Sequence, residues 1–236
     1  MSQSIVVCRD INKSYRDVRA LSDVSLAIRK KAVHVVAGAN GAGKTTLFRI
    51  LIGQAQPDSG ALVASDLQGG RMPAFAYQPE VPGVYDYLTI REFLQLASRL
   101  GGGHRATDGK REELIHRFGL DHAVDKLGIA ASAGTRQKAS VLAALVQDAD
   151  VYVLDEPTNH LDAGAVHVLK DELMAMRRMG KTVLLATHVL DFAENVADDV
   201  TTLDNGKVRF SGAVSDLPGT GSLEKRVAES LGFGQR

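Results

Sequence analysis

One stretch, GANGAGKTT from Gly38 to Thr46, limits what this chain can fold into more than any other. It fits the pattern G-x-x-x-x-G-K-[ST], and the fit comes with its context. The apolar, β-branched run AVHVVAG precedes it, and GKTTLFRILIG follows as a helix that Gly53 closes. A strand, a glycine-rich turn and a helix start in that order let backbone N–H groups curl around an anion. The helix N-terminus adds partial positive charge at the same point. Gly38, Ala39, Asn40, Gly41, Ala42, Gly43, Lys44, Thr45 and Thr46 are therefore the candidate nucleotide-binding loop. Lys44 would reach the β/γ phosphates and Thr45 would hold Mg²⁺.

A second apolar strand, VYVLDEP, ends in two acids. Ligands of open α/β sheets gather at the carboxyl ends of strands. Asp155 would bind Mg²⁺ there, directly or through water, and complete the site begun by Thr45. Glu156 points elsewhere and is free to act as general base on a water.

The remaining chain reads as alternating strands and helices. SIVVCRD and VSLAIRK are strands joined by a polar, turn-rich link, NKSYRDVRALSD. GALVAS and PAFAYQ are short strands. LTIREFLQLASRL, DGKREELIHRFGL and DHAVDKL read as helices, with GGGH as a break, so residues 86–131 are the candidate helical subdomain. A helix over about 132–147 follows, then VYVLD, the helix AGAVHVLKDELMAMRRMG, the strand TVLLAT, the helix VLDFAENVA and a hairpin turning at Asn205-Gly206. Buried strands alternating with helices predict an α/β fold of P-loop type, mostly parallel, with an antiparallel β edge. The expected division is a core with a β-subdomain over about 1–85 and 132–220, and a C-terminal helix and tail over 221–236.

Composition excludes several classes. Lys+Arg and Asp+Glu both number 28 in 236 residues, so no basic excess points to nucleic acid. One cysteine, Cys8, cannot form an internal disulfide. The start shows no secretory signal pattern, and no apolar run reaches the ~18 residues of a membrane span. The histidines show no zinc-ligand spacing.

On these residues the chain resembles the ABC-type ATPases, the nucleotide-binding subunits of ATP-binding cassette transporters. After the phosphate loop comes Gln78 in AYQPE, similar to the family's Q-loop. ASAGTRQKAS, from Ala131 to Ser140, is similar to its signature segment, Leu-Ser-Gly-Gly-Gln followed by basic residue, Gln and basic residue. Ser132, Gly134, Arg136, Gln137 and Lys138 keep that pattern; Ala131, Ala133 and Thr135 depart from it. NHLD resembles the D-loop with Asp162, and His188 in LLATHVL the switch histidine. Tyr15 lies where the family stacks an aromatic on adenine.

The resemblance implies ATP and Mg²⁺ as ligands. It implies Lys44, Gln78, Glu156 and His188 as catalytic residues, and Thr45, Gln78 and Asp155 around the metal. Ser132, Ala133, Gly134 and Thr135 would act on a second subunit's ATP in a head-to-tail dimer, with Asp162 acting across that interface or capping its own helix. It implies transmembrane permease subunits as partners, export through them, and a place on the cytoplasmic face of the cell membrane with membrane contact only through the permease. A soluble ABC ATPase without a transport role, or a regulatory subunit of low turnover, stay open as alternatives. Ala133 is harmless if its φ is negative and costly if positive.

Overall fold

The computed structural model describes residues 4–64, 72–100 and 108–232. Two long strands open it. β1 (Ser4–Tyr15) and β2 (Val18–Arg29) pair antiparallel around a turn at Arg16 and Asp17. The expected link over residues 12–23 is thus mostly strand. Its polar side chains lie on the solvent face and bond one another: Asn12 Nδ2 donates to Asp23 Oδ1 (2.9 Å), and Asn12 Oδ1 accepts from Arg19. Leu21 is buried within it while Val18 stays exposed, and beyond it Val24, Leu26 and Ile28 are buried at the period of a strand. β4 (Ser59–Ala64) joins the other edge of β1, giving a separate three-stranded antiparallel sheet.

The main sheet has six strands. β3 (Val33–Ala37), β5 (Phe75–Gln78), β6 (Val151–Asp155), β7 (Thr182–Ala186), β8 (Asp199–Asp204) and β9 (Lys207–Ala213) run in the order β5-β6-β7-β3-β8-β9. All pairs are parallel except the β8–β9 hairpin, whose Asn205 and Gly206 carry φ of 47° and 74°. Every residue of β3, β6 and β7 is buried, as a sheet covered on both faces requires.

Alternate residues of these strands feed two cores. Val36, Val151, Val153, Leu184 and Ala186 pack with Leu47, Phe48 and Leu51 of α1 (Lys44–Leu51) and with the inner face of the antiparallel sheet. Val33, Val35, Tyr152, Leu154, Val183 and Leu185 pack on the other side, against the remaining helices. These are α2 (Ile90–Leu100), α3 (Asp108–Arg117), α4 (Ala133–Leu145), α5 (Ala163–Arg178), α6 (Leu190–Glu194) and α7 (Leu223–Ser230).

DHAVDKL is not a helix but a run of turns. The carbonyls that a helix would use internally serve α2 instead: Val124 O accepts from Arg91 N (2.8 Å) and Lys126 O from Ile90 N (3.1 Å). The GGGH break and the last residues of the expected tail lie outside the described residues. Among the described residues no helix is long and apolar enough to cross a membrane.

Candidate functional site

β3 delivers the chain into the Gly38–Gly43 turn, and α1 leaves it. Two glycines are required by space, and Gly43 by angle as well. A Cβ on Gly43 (φ 109°) would lie 2.6 Å from Ala20 O, and one on Gly38 would lie 2.3 Å from Leu203 O. No side chain caps the start of α1, so its first amides are left for an anion. The turn forms one wall of a cleft of about 200 Å³. Asn40, Gly41, Gly43, Lys44, Thr45 and Thr46 line that wall; Asp155 and Glu156 line the opposite one; Val18, Arg19, Ala20 and Glu80 complete the rim. Gly38, Ala39 and Ala42 are not part of that lining: the first two lend carbonyls to Lys44, and Ala42 is buried.

The Lys44 ammonium is buried and fully engaged. It donates to Gly38 O (2.8 Å) and Ala39 O (3.2 Å) and lies 3.4 Å from Glu156 Oε1. Asp155 ends β6 with no exposed surface, and neither of its carboxylate oxygens has a hydrogen-bond partner. Burial pushes its pKa up to about 6. The Thr45 hydroxyl beside it offsets part of that without full hydrogen-bonding geometry, while the Glu80 and Glu156 charges add to the rise.

Glu156 holds a left-handed φ of 50°. Its N–H donates to Ala186 O (2.9 Å) on β7, and its Oε2 accepts from the backbone N–H (3.2 Å) of His188 and pairs with His188 Nδ1 at 2.8 Å. The sequence thus places Lys44, Thr45, Asp155, Glu156 and His188 together. Gln78 ends β5, one strand over from Asp155; it is fully buried, its Nε2 donates to Pro79 O, and its Oε1 has no partner. Four oxygens at adjoining strand ends (Asp155 Oδ1 and Oδ2, Glu156 Oε1, Gln78 Oε1) are therefore buried without hydrogen bonds. A hard divalent cation takes such a set of oxygen donors.

Other expected residues stand apart. Tyr15, at the end of β1, is 43% exposed and does not line the cleft; the Lys13 ammonium sits 5.5 Å from its ring centre. Ser132, Ala133, Gly134 and Thr135 begin α4 away from the cleft lining. Ser132 caps that helix, accepting from Thr135 N (3.2 Å). Ala133 has ordinary right-handed geometry, since it is helical and absent from the positive-φ residues, so its methyl strains nothing. Asp162 caps α5, accepting from Ala165 N (2.8 Å), and pairs with Lys138 at 2.6 Å. That pair and the helix amide hold its carboxyl below the usual range.

Three polar residues were not foreseen here. Glu80 and Arg19 line the cleft, and Gln137 of α4 donates to the carbonyls of Glu156 and Pro157. Glu80 had a usable signal, lying two residues after Gln78 on the same strand exit, and Gln137 had another, since it keeps the signature pattern.

A glycine turn between a buried strand and a helix, facing an acid pair on a neighbouring strand end, defines a P-loop nucleotide-binding domain. A sequence model of the family described as "ABC transporter" matches residues 21–159. The chain is 31% identical to the ABC transporter ATP-binding protein NatA of Bacillus subtilis (strain 168), over 97% of this chain and 96% of that protein. It is 31% identical to the ABC-type transporter ATP-binding protein EcsA of the same organism, over 91% and 89%. A solved ATP-binding subunit of an ABC transporter superposes with a TM-score of 0.86 at 28% identity, covering 97% of this chain and all of that one. A dimeric post-hydrolysis state of an ATP-binding cassette, bound to ADP and Pi, shares the fold at TM-score 0.77 and 21% identity, over 91% and 100%. The chain belongs to the ABC transporter family, as an ATP-binding subunit that hydrolyses ATP.

Proposed function

We propose that Lys44, Thr45, Asp155, Glu156 and His188 form one half of an ATP site, and that Ser132–Thr135 serve the site of a second subunit. The reading rests above all on the buried Asp155 carboxylate, neither oxygen of which has a hydrogen-bond partner, standing beside Glu156 and opposite the Lys44 turn. The turn amides and Lys44 bind the β/γ phosphates. Thr45, Asp155 and Gln78 would hold Mg²⁺, which when bound would neutralise charge on the phosphate oxygens.

Glu156 takes the proton of the attacking water, a role worth about 10²–10⁴-fold. His188 holds that carboxylate through Oε2. Lys44 is shared between two turn carbonyls and Glu156. Incoming phosphates draw Lys44 towards themselves and release Glu156 Oε1 for the water.

We further propose a core with a helical subdomain over about 86–131, and permease subunits docked in the groove between them. A groove of about 530 Å³ supports this, with a mixed lining that includes Arg49, Gln54 and Gln147 beside Tyr85, Phe93 and Leu96. Tyr85 is 58% exposed, more than a solvated monomer surface needs for an aromatic of that size. Relatives named for Nod factor export favour export as the direction, and a place on the cytoplasmic membrane face follows from the proposed permease docking. Calorimetry of ATP binding to Lys44→Ala is the test: the binding heat disappears, whereas unchanged affinity removes Lys44 from the site. Purification from native membranes should bring down a membrane-spanning polypeptide; a chain that purifies alone breaks the transporter assignment.

A further inference from the structure

Glu156 sits in a backbone conformation that a residue with a Cβ reaches only at a cost of about 1–2 kcal/mol. Such a residue holds its place only when its neighbours over-determine it. Several neighbours come from the segment itself or from β7: Ala186 O takes its N–H, Asn159 N bonds its carbonyl (3.2 Å), and His188 holds its side chain. Two come from other elements: Lys44 of α1 lies 3.4 Å from its Oε1, and a glutamine of α4 reaches the backbone. Gln137 is fully buried in α4, five residues past Ser132, and its Nε2 donates to Pro157 O (3.0 Å) and Glu156 O (3.4 Å). One amide nitrogen with two N–H groups thus meets two consecutive carbonyls. The same end of α4 touches the same segment twice more. Lys138 pairs with Asp162, and a Cβ on Gly134 would press to 3.0 Å from His160 O.

We propose that Gln137 is a positioning residue for Glu156. It clamps the Glu156–Pro157 peptide to the helix whose start carries Ser132, so that the placement of α4 sets where the Glu156 carboxylate points. A shift at the signature segment, which reads the partner's nucleotide, is thereby felt at this chain's own base. The inference rests on the assignment of Glu156 as general base made above.

Gln137→Met keeps the length and shape of the side chain and removes both donors. In the assembled transporter, kcat for ATP should fall on the order of 10-fold, with KM and the calorimetric ATP affinity changed by less than about 2-fold. In a Glu156→Gln background the same substitution should lower the residual single-turnover rate by less than about 2-fold, because its effect runs through Glu156. A purely structural glutamine would lower both rates alike.

An unchanged kcat in Gln137→Met, a rise in KM alone, or effects that multiply in the double variant each overturn the proposal. If Glu156→Gln by itself leaves kcat intact, the base assignment fails and this inference falls with it. If Gln137→Met does not fold, Gln137→Asn, which keeps the donors but withdraws them by one methylene, goes through the same cycle with the same outcomes.

Discussion

The head of α1 and the head of α4 both carry residues of a phosphate-binding pattern, but their polar atoms are served very differently. At α1 the cleft gathers Lys44, Asp155 and Glu156 out of solvent and leaves carboxylate oxygens unpaired. At α4, Ser132 and Ala133 are exposed, and the Ser132 hydroxyl already bonds the amide and hydroxyl of Thr135. The first region is a half-site whose electrostatics are incomplete without a cation and phosphates. The second is satisfied on its own and can wait for a partner. The departures from the family pattern fall in the second, where an exposed helix start tolerates a methyl, while the first keeps G-x-x-x-x-G-K-[ST] intact.

Three experiments would break or sharpen that contrast. The largest effect concerns the strand that holds the phosphate loop. His34 in β3 is wholly buried, its Nε2 paired with Thr201 Oγ1 at 2.8 Å, and burial together with the nearby Arg29 charge lowers its pKa to about 4. The unfolded chain, near 6.5, takes up a proton between those values that the folded chain refuses. Stability is therefore intact above pH 6.5 and declines as pH falls towards 4, by about 3 kcal/mol in all. Denaturant titration from pH 7 to 5 should show this slope, and His34→Gln should flatten it; an identical slope in the variant would remove His34 as its cause.

Next in size is Ser132→Ala. A charge-assisted hydrogen bond contributes about 1.5–3 kcal/mol, so turnover of the dimer should fall at least about 10-fold while ATP affinity of the isolated chain stays put. A loss of affinity in the isolated chain would place Ser132 in its own cleft instead. The smallest effect is Ala133→Gly. With Ala133 helical and unstrained, restoring the glycine should change turnover by less than about two-fold and cost helix stability of about 1 kcal/mol. A large gain in rate would show that the methyl blocks the partner's nucleotide.

The cleft itself was legible in the sequence, and for clear reasons. β3, β6 and β7 are mainly apolar runs, interrupted in β3 by His34, so their ends, and with them Lys44, Asp155, Glu156 and His188, could be placed at one edge of a parallel sheet. What stayed hidden depends on pairing through space. The polar residues from Asn12 to Asp23 look like a loop until each strand meets its neighbour. DHAVDKL looks helical until its carbonyls are taken by α2. The left-handed backbone of Glu156 is imposed by Ala186 and His188, about thirty residues downstream, and no local pattern announces it. The Gln137 clamp was hidden likewise: the residue keeps the signature pattern, but nothing in that pattern tells which carbonyls its amide will reach.

Glu156→Gln, measured for ATP binding and for hydrolysis in the same preparation, tests the central claim most directly. Replacing the carboxylate keeps the shape and removes the base, so ATP binding should persist while turnover falls at least about 100-fold. Hydrolysis at the parent rate would contradict the assignment of Glu156.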